Sequence, residues 1–282
     1  MITLRNEELT VTIKELGAEM QTITAKDGTE YLWHGDPKFW EGRAPVMFPI
    51  CSRLKNDEYH YNGVTYKMGG HGFAKKEMFE VESQSETEAV FVLRANERTL
   101  KQYPFDFEFR VGYALRGKAI DVTYDVKNPA SEPLYMSFGG HEGYVCPEGI
   151  TEYEVVFEQP ETLITTPDPF NSNDTKLIGE NVTVLPMEDR FFAIDALIFK
   201  KCVKSTSLKL RHKKTGRGVQ VDFEGFPYLL IWTKIGAPYI CVEPWCGITD
   251  VPETDGNLVT KEGINRVEGG ETFRRVHTIT VL

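Results

Sequence analysis

The sequence predicts an all-β protein, a large antiparallel β-sandwich with few short helices. Apolar and polar residues alternate with a period of two along most of the 282-residue chain, as in Leu9, Val11 and Ile13. Turn-forming dipeptides stand between several alternating stretches, whereas helical periodicity is scarce. Because no linker, low-complexity segment or fixed-period repeat interrupts the pattern, we expect residues 1–282 to form a single domain.

Three dipeptides mark predicted reversals of the chain: Asp27-Gly28, Asn62-Gly63 and Arg116-Gly117. Asx-Gly dipeptides favour tight hairpin turns, because both residues tolerate a positive φ. Each dipeptide is flanked by two predicted strands. These cover residues 22–25 and 31–33 around the first dipeptide, 59–61 and 64–66 around the second, and 109–115 and 119–126 around the third.

The remaining elements are a late strand and two short helices. Alternation over residues 273–281 predicts a closing strand. A short helix is expected over residues 36–40, where Asp36 is a suitable cap, and another over residues 96–102 before Pro104.

Charge and cysteine content exclude several classes of protein. The 42 Asp plus Glu residues outnumber the 32 Lys plus Arg residues, which gives a net charge of −10. This charge argues against nucleic acid or an anionic membrane as the main partner and favours a neutral or cationic small ligand. The five cysteines (51, 146, 202, 241 and 246) include no C-x-x-C pair, so we expect reduced thiols.

The sequence also predicts a cytoplasmic location. The first twenty residues lack the apolar core of a secretory signal. No run of about 18 apolar residues that could span a bilayer occurs elsewhere.

Four stretches break the alternation with dense glycine, aromatic and ionisable residues. They are residues 48–55, 69–74, 137–144 and 239–247. His71 and His141 each lie in a Gly-Gly-His run, where the backbone can bend and a ligand can approach closely. A histidine in a glycine-rich turn is the alternative for either residue alone, and the occurrence of two such runs favours a site.

Three further ionisable residues are candidates. Glu243 follows an apolar run and precedes Pro244-Trp245, so its carboxylate should lie beside apolar surface, where a raised pKa makes it a better base. An exposed Glu at a strand end is the alternative. Arg53 follows an apolar stretch and could bind hydroxyls or form a structural ion pair. Asp195 lies within the apolar run 191–199, either as a cap or as a site residue.

Familiar local motifs are missing. None of the six histidines forms an H-x-x-x-H or H-E-x-x-H pair, so no local metal site is predicted. Phosphate-binding loops and the G-x-S-x-G elbow are also missing. Acid–base chemistry by His and Glu remains, with aromatic side chains available to stack on a sugar.

These blocks resemble the aldose 1-epimerase (galactose mutarotase) superfamily, most closely its short bacterial branch often called LacX-like. The resemblance runs along essentially the whole chain. Its segments are Gly17-Ala18-Glu19, Glu30–Trp33, Arg43–Leu54, His71 in HGFA, His141 in GGHEGY, the 191–199 block, Glu243 in VEPWCG and the closing strand. It implies a β-sandwich whose concave face holds a sugar and a cofactor-independent exchange of its α and β anomers.

The resemblance also implies roles for individual residues. Glu243 matches the general base that removes the anomeric hydroxyl proton, and His141 matches the general acid that protonates the ring oxygen. His71 and Arg53 match sugar-binding residues. Asp195 matches a substrate-binding aspartate within a block that differs between branches. A neighbouring carboxylate is expected to raise the pKa of His141 into the working range.

Trp245 is predicted to form an apolar wall of the same site, next to Glu243. Glu243 and His141 should face one cleft, separated by little more than one sugar ring of about 5 Å plus two hydrogen bonds.

Two other functions are considered. A hexose-6-phosphate 1-epimerase would need two or three cationic groups at the mouth of the site, and only Arg53, Arg43, Lys75 and Lys76 lie near the motif blocks. A non-catalytic sugar-binding protein would not need both an acid and a base. The exposed edge strands of a β-sandwich are covered either by other segments of the same chain or by a second copy. A homodimer is therefore one of two alternatives that the sequence allows.

Overall fold

The computed structural model describes residues 1–201 and 203–282. Within them, the chain forms 20 β-strands, one short α-helix and four 3-10 helices. The strands are β1 (Ile2–Arg5), β2 (Leu9–Lys14), β3 (Glu19–Ala25), β4 (Glu58–Tyr61), β5 (Val64–Lys67), β6 (Glu80–Gln84), β7 (Glu88–Arg94), β8 (Glu108–Arg116), β9 (Ala119–Lys127), β10 (Leu134–Met136), β11 (Glu142–Val145), β12 (Tyr153–Thr165), β13 (Lys176–Pro186), β14 (Leu197–Lys200), β15 (Ser207–His212), β16 (Gly218–Asp222), β17 (Tyr228–Trp232), β18 (Tyr239–Trp245), β19 (Asn265–Val267) and β20 (Thr272–Val281). The α-helix is α1 (Glu97–Leu100), and the 3-10 helices are Lys55–Asp57, Ala74–Lys76, Ile150–Glu152 and Asp189–Phe192.

Most strands belong to two large sheets. Nine strands pair in the order β13-β12-β15-β16-β20-β9-β8-β7-β6, and four pair in the order β11-β18-β17-β14. All of these pairings are antiparallel. Strands β1-β2-β3, β10-β19 and β4-β5 form three smaller sheets. The predicted all-β fold of large antiparallel sheets is confirmed.

Two of the predicted hairpins form as expected. Asn62 and Gly63, with φ of 49° and 76°, join β4 to β5. Positive φ at both positions is what the tightest hairpin turns require. Gly117 lies in the link between β8 and β9, and the predicted closing strand is β20.

The predicted strand over residues 31–33 is wrong. The chain does reverse after Asp27-Gly28, since the Tyr31 N–H donates to the Ile23 carbonyl at 2.9 Å. Trp33, however, donates its N–H to the Gly143 carbonyl at 2.7 Å. This segment therefore crosses to β11 and forms only isolated bridges instead of a strand.

One of the two predicted helices forms. Asn96 caps α1, accepting hydrogen bonds from the N–H groups of Arg98 and Thr99. The predicted helix over residues 36–40 is wrong: Trp40 donates its N–H to the Asp36 carbonyl at 2.9 Å, which closes a single turn. Gly35 and Gly42 flank this turn, and one turn without further propagation is unstable as a helix.

The hydrophobic core lies between the nine-stranded and four-stranded sheets. Alternate residues of β8 and β9 are buried. Val122 and Tyr124 of β9 share one buried cluster with Ile240 and Val242 of β18. The other face of the four-stranded sheet carries the candidate site.

A buried histidine–glutamate contact crosses this core. His277 of β20 places its Nε2 3.3 Å from the Oε1 of Glu142 on β11. Both side chains are buried, and Tyr124 stacks on the His277 ring at 5.7 Å. The pair connects the two large sheets.

Among the described residues, Cys51, Cys146, Cys241 and Cys246 are free, buried thiols. Cys202 lies outside the described residues. Of the helices in the described ranges, none has the length and apolar character needed to cross a membrane.

Candidate active site

Cross-strand register brings Glu243 and His141 together. Glu142 pairs with Val242 in the β11–β18 ladder. Because successive side chains point to opposite faces of a sheet, His141 and Glu243 meet on the face opposite the core. His141 Nε2 lies 3.4 Å from Glu243 Oε2, and the two residues are 9% and 1% exposed. The two side chains face one cleft, as predicted. Their separation is shorter than the predicted one of a sugar ring plus two hydrogen bonds, because they contact one another directly.

A cavity of about 220 Å³ opens onto this pair. Its volume lies below the roughly 300–1,000 Å³ of drug-sized sites, so it suits a ligand of about one ring. Apolar side chains of β14 and β17 and three indoles line it. Polar side chains from the 52–53, 71 and 195 positions complete it. The lining residues are Trp40, Ser52, Arg53, His71, His141, Asp195, Ala196, Ile198, Leu230, Trp232, Glu243 and Trp245.

The two glycines before His141 permit close packing around the pair. A Cβ on Gly139 would lie 2.6 Å from Trp245 Cδ1 and 2.7 Å from the Pro244 carbonyl oxygen. A Cβ on Gly140 would lie 2.5 Å from Glu142 Oε2. Trp245 also donates its indole N–H to the Gly140 carbonyl at 3.1 Å. The glycine run thus lets β18 and β11 approach closely where the acid–base pair forms.

His71 is held in a defined orientation and tautomer. Its backbone N–H donates to the Ser52 carbonyl at 2.7 Å, and its Nδ1 accepts the Ser52 N–H at 3.1 Å. Since Nδ1 is the acceptor, Nε2 carries the proton of the neutral ring. Burial, followed by the charges of His141, Lys75 and Arg53, holds the pKa of His71 well below its usual value. His71 is therefore a neutral hydrogen-bond donor in the site.

Both members of this contact adopt strained backbone conformations. Ser52 and His71 have φ of 58° and 62°. Residues other than Gly, Asn and Asp rarely adopt this left-handed region, and such strain concentrates at functional sites. Gly72 follows with φ of 67°, and its Cα lies so near Phe48 that a Cβ would be 2.2 Å from the Phe48 carbonyl oxygen.

Aromatic rings surround the acid–base pair. The Trp40 indole stacks on the His141 imidazole with centroids 4.9 Å apart and an interplanar angle of 28°. Trp232 meets the same imidazole edge-on at 5.7 Å. Trp245 meets His71 edge-on at 5.7 Å. These rings exclude water from the pair and offer apolar faces to a ligand.

Burial is the main influence on Glu243. It raises the pKa of this carboxyl well above the usual value, and the neighbouring charges of Glu142 and Asp195 raise it further. The raised pKa predicted from sequence is confirmed in direction.

His141 differs from the sequence expectation. Its pKa is lowered to about 3, chiefly by burial and also by the positive charge of Lys75, and is not raised by the carboxylate. The expectation is wrong because removing an imidazolium from water costs more here than one nearby carboxyl returns. Both shifts favour the uncharged forms, a neutral imidazole and a protonated carboxyl.

The rim of the cavity carries opposite charges. Arg53 and Asp195 both line it and are solvent-exposed. Although the residue as a whole is solvent-exposed, partial desolvation raises the pKa of the Asp195 carboxyl, and the positive charge of Arg53 acts against that shift. The Arg53 main chain is fixed, because its carbonyl accepts the Asp250 N–H at 2.9 Å.

The other cations near the motif blocks do not line the cavity. Arg43 donates to the Gln21 carbonyl at 2.9 Å, and Lys75 donates to the Gly70 carbonyl at 3.0 Å. Lys76 is exposed on the 3-10 helix Ala74–Lys76.

All six sequence-predicted site residues line this one cavity: Arg53, His71, His141, Asp195, Glu243 and Trp245. The sequence interpretation missed Ser52, Trp40 and Trp232. Trp232 could have been identified from alternation along β17, since it shares a face with Leu230. Trp40 lies in an aromatic-rich turn whose position depends on contacts distant in sequence.

Cys241 lies beside the acid–base pair, two residues before Glu243 on β18. The potential donor atoms of His141, Cys241 and Glu243 lie within 4.8 Å of one another, and all three residues are buried. These are the described residues that could hold a metal ion.

Comparisons with known proteins agree on one family. The family model described as aldose 1-epimerase matches residues 1–261. The chromosomal protein LacX of Lactococcus lactis subsp. lactis is 35% identical over 298 aligned positions, which cover 100% of this chain and 99% of that protein.

Solved structures show the same fold. A galactose mutarotase related enzyme from Lactobacillus acidophilus superposes with a TM-score of 0.94 at 33% identity, covering 100% of this chain and 97% of that one. A galactose mutarotase-like protein from Lactobacillus casei gives a TM-score of 0.93 at 28% identity, with 100% of both chains covered.

Proposed function

The chain belongs to the aldose 1-epimerase family, and from this premise we propose that it interconverts the α and β anomers of an unphosphorylated aldose. The observation that carries the proposal is the buried contact between His141 Nε2 and Glu243 Oε2 at 3.4 Å, on one side of a ring-sized cavity. An acid and a base placed side by side are what ring opening requires.

The reaction moves two protons and breaks one bond. Glu243 accepts the proton of the anomeric hydroxyl while His141 donates a proton to the ring oxygen. The C1–O5 bond breaks and C1 becomes a carbonyl carbon. Rotation about C1–C2 then presents the other face of the carbonyl, and the reverse proton transfers close the ring as the other anomer.

One proton that can move between His141 and Glu243 is sufficient for this cycle. In the unliganded protein burial favours neutral His141 and protonated Glu243. Proton transfer across their 3.4 Å contact converts the pair to imidazolium and carboxylate. Hydrogen bonds from sugar hydroxyls favour those charged forms, since a hydrogen bond to a charged group stabilises it.

The remaining lining residues would bind the sugar. The Nε2–H of His71 and the Arg53 guanidinium are donors, and Asp195 is an acceptor. Trp245 and Trp40 would stack against the C–H faces of the ring.

The charge of the cavity favours a free sugar over a sugar phosphate. Arg53 is the one Lys or Arg among the described lining residues, and it shares the cavity with two carboxyl groups, Asp195 and Glu243. A phosphate dianion is usually held by several charge-assisted hydrogen bonds. We therefore favour the unphosphorylated substrate over hexose 6-phosphates.

The decay of optical rotation tests the proposal. We expect the protein to accelerate the decay for freshly dissolved α-D-glucose or α-D-galactose, and to act more slowly on glucose 6-phosphate. A rate equal to that of buffer across a panel of free aldoses would contradict the catalytic proposal. Faster exchange of the phosphorylated hexose would contradict the substrate class alone.

A further inference from the structure

Cys241 has no part in the proposed sugar reaction, yet it shares a sheet face with Glu243. In the four-stranded sheet Cys241 pairs with Gly143 on one side and with Trp232 on the other. Its thiol is fully buried. The His141 imidazole, the Cys241 thiol and the Glu243 carboxylate together offer one nitrogen, one sulfur and one oxygen donor. Cys241 and Glu243 lie on β18, and His141 directly precedes β11.

The spacing of this donor set is close to that of a tetrahedral metal site. Bonds of about 2.0–2.3 Å from Zn²⁺ to N, O and S ligands place neighbouring ligand atoms roughly 3.3–3.8 Å apart. The His141–Glu243 contact of 3.4 Å already fits this range. The Cys241 sulfur, within 4.8 Å of both partners, needs to approach by about 1 Å or less.

The site also holds an unpartnered buried acceptor. In the described part of the chain, Glu243 Oε2 has no hydrogen-bond partner, and Glu243 is 1% exposed. A buried oxygen without a partner is costly, and a bound cation would satisfy it. One thiolate and one carboxylate balance a divalent charge, so the loaded site would bury no net charge.

We propose that His141, Cys241 and Glu243 form a binding site for a borderline or soft divalent cation, such as Zn²⁺ or Cd²⁺, and, resting on the proposed function, that the bound ion inhibits anomer exchange. The ion occupies the lone pairs that the acid–base pair uses for proton transfer. The three side chains would leave room for a fourth ligand, such as water, if the ion is tetrahedral.

The surroundings of His141 set the expected affinity. Dedicated metal sites anchor the second imidazole nitrogen with a hydrogen bond, and loss of such a partner costs about 10–100-fold in affinity. Among the described residues His141 Nδ1 has no such partner. We therefore expect reversible binding that a chelator removes, as for an inhibitory ion and unlike a resident cofactor.

Cadmium titration tests the site without reference to catalysis. The full-length protein, freed of metal, is titrated with CdCl₂ while the ultraviolet thiolate-to-cadmium charge-transfer absorption is recorded. We expect one Cd²⁺-dependent band that Cys241→Ser removes and that the matched variant Cys246→Ser keeps. Absence of the band in the wild-type protein, or its full retention in Cys241→Ser, would overturn the proposal.

A second variant keeps the test valid if Cys241→Ser does not fold. Glu243→Gln leaves the thiol in place and removes one ligand, so the band should need at least about tenfold more Cd²⁺. Unchanged Cd²⁺ affinity in Glu243→Gln would remove the carboxylate from the site and contradict the proposal.

Inhibition is measured separately on the anomer exchange reaction. Zn²⁺ should slow the exchange, EDTA should restore it, and Cys241→Ser should need at least about tenfold more Zn²⁺, each variant being compared with its own metal-free rate. The two proposals can fail independently. Cadmium binding through Cys241 without anomer exchange would contradict only the proposed function, and exchange without cadmium binding would contradict only the metal site.

Discussion

At the scale of single residues, the paired acid and base make the sharpest prediction. Glu243→Gln preserves size and hydrogen bonding but removes the base, so we expect kcat to fall at least about 10²-fold. The kcat of His141→Asn should decrease to a similar extent. Because the two groups act as one unit, the double variant should be little worse than either single variant.

Optical-rotation kinetics with each variant check this prediction. Cys246→Ser changes a buried thiol one residue beyond β18 and serves as the control, with a rate within a few-fold of wild type. Multiplicative losses in the double variant would show that Glu243 and His141 act independently. Activity of Glu243→Gln near that of wild type would assign the base to another residue.

His71 predicts a pH dependence of stability. Its imidazole stays neutral in the folded protein to well below its usual pKa, whereas the unfolded chain binds a proton near pH 6.5. The unfolded state therefore gains protons first as the pH falls, and stability is lost at about 1.4 kcal/mol per pH unit below 6.5.

The variant His71→Asn isolates this contribution, since Asn tolerates the positive φ of the site and does not titrate. Between pH 7 and pH 5, wild type should lose about 2 kcal/mol relative to His71→Asn in urea unfolding. His34→Asn, at an exposed histidine, controls for loss of an imidazole as such. Parallel stability curves for wild type and His71→Asn would refute the assignment of a neutral ring at His71.

At the scale of elements, the glycine run before β11 controls how closely two strands approach. Gly139→Ala would place a methyl group against the Trp245 ring and the Pro244 carbonyl, neither of which can move freely. We expect a loss of about 1–3 kcal/mol in the free energy of unfolding, as in overpacked cores. A fall in kcat should accompany it, because the shift displaces His141 from Glu243.

Urea unfolding and anomer exchange test this element together. Gly69→Ala is the matched control, since a Cβ there meets nothing within 4 Å and its backbone needs no positive φ. Wild-type stability and rate in Gly139→Ala would mean that the close approach is not required.

The elements also show how far sequence interpretation extends. Hairpins such as β4–β5 could be predicted because turn chemistry at Asn62-Gly63 is local. The segment around Trp33 could not, because its hydrogen bonds go to Gly143, far along the chain. The two site residues Glu243 and Trp40 show the same difference. Glu243 could be identified from its sequence neighbours Pro244 and Trp245, whereas Trp40 could not, because its stacking on His141 depends on tertiary structure.

The low pKa of His141 illustrates a further limit. The sequence shows that a carboxylate is available to raise the pKa of His141. The desolvation that lowers this pKa depends instead on how deeply the ring is buried. Depth of burial is set by Trp40 and Trp232 together, neither of which lies near His141 in sequence.

At the scale of the whole molecule, the His277–Glu142 pair connects the two large sheets. Removing one member of a buried polar pair leaves the other polar group without a partner in the core, which typically costs about 1–3 kcal/mol. We expect losses of this size for Glu142→Leu and for His277→Leu. The double variant should recover much of the loss, since apolar replacements of buried pairs are often neutral.

A double-mutant cycle by urea unfolding measures this coupling. The exposed pair of Arg266 and Glu268, 2.8 Å apart, provides the comparison, and Arg266→Ala should cost less than about 1 kcal/mol. Single losses below about 1 kcal/mol at both core positions would mean that the pair contributes little to joining the sheets.

The register that places Glu142 opposite Val242 has a consequence for how this protein can change. Sliding β11 along β18 by one residue would turn His141 into the core, and sliding by two would move it about 6.8 Å along the strand. The distance between acid and base can therefore change only in large jumps and not by gradual adjustment. We expect new ligand preferences to arise at the other lining positions, in the loops that carry Arg53, Trp40 and Asp195 and on β14 and β17, while the pairing of β11 with β18 keeps His141 and Glu243 in place.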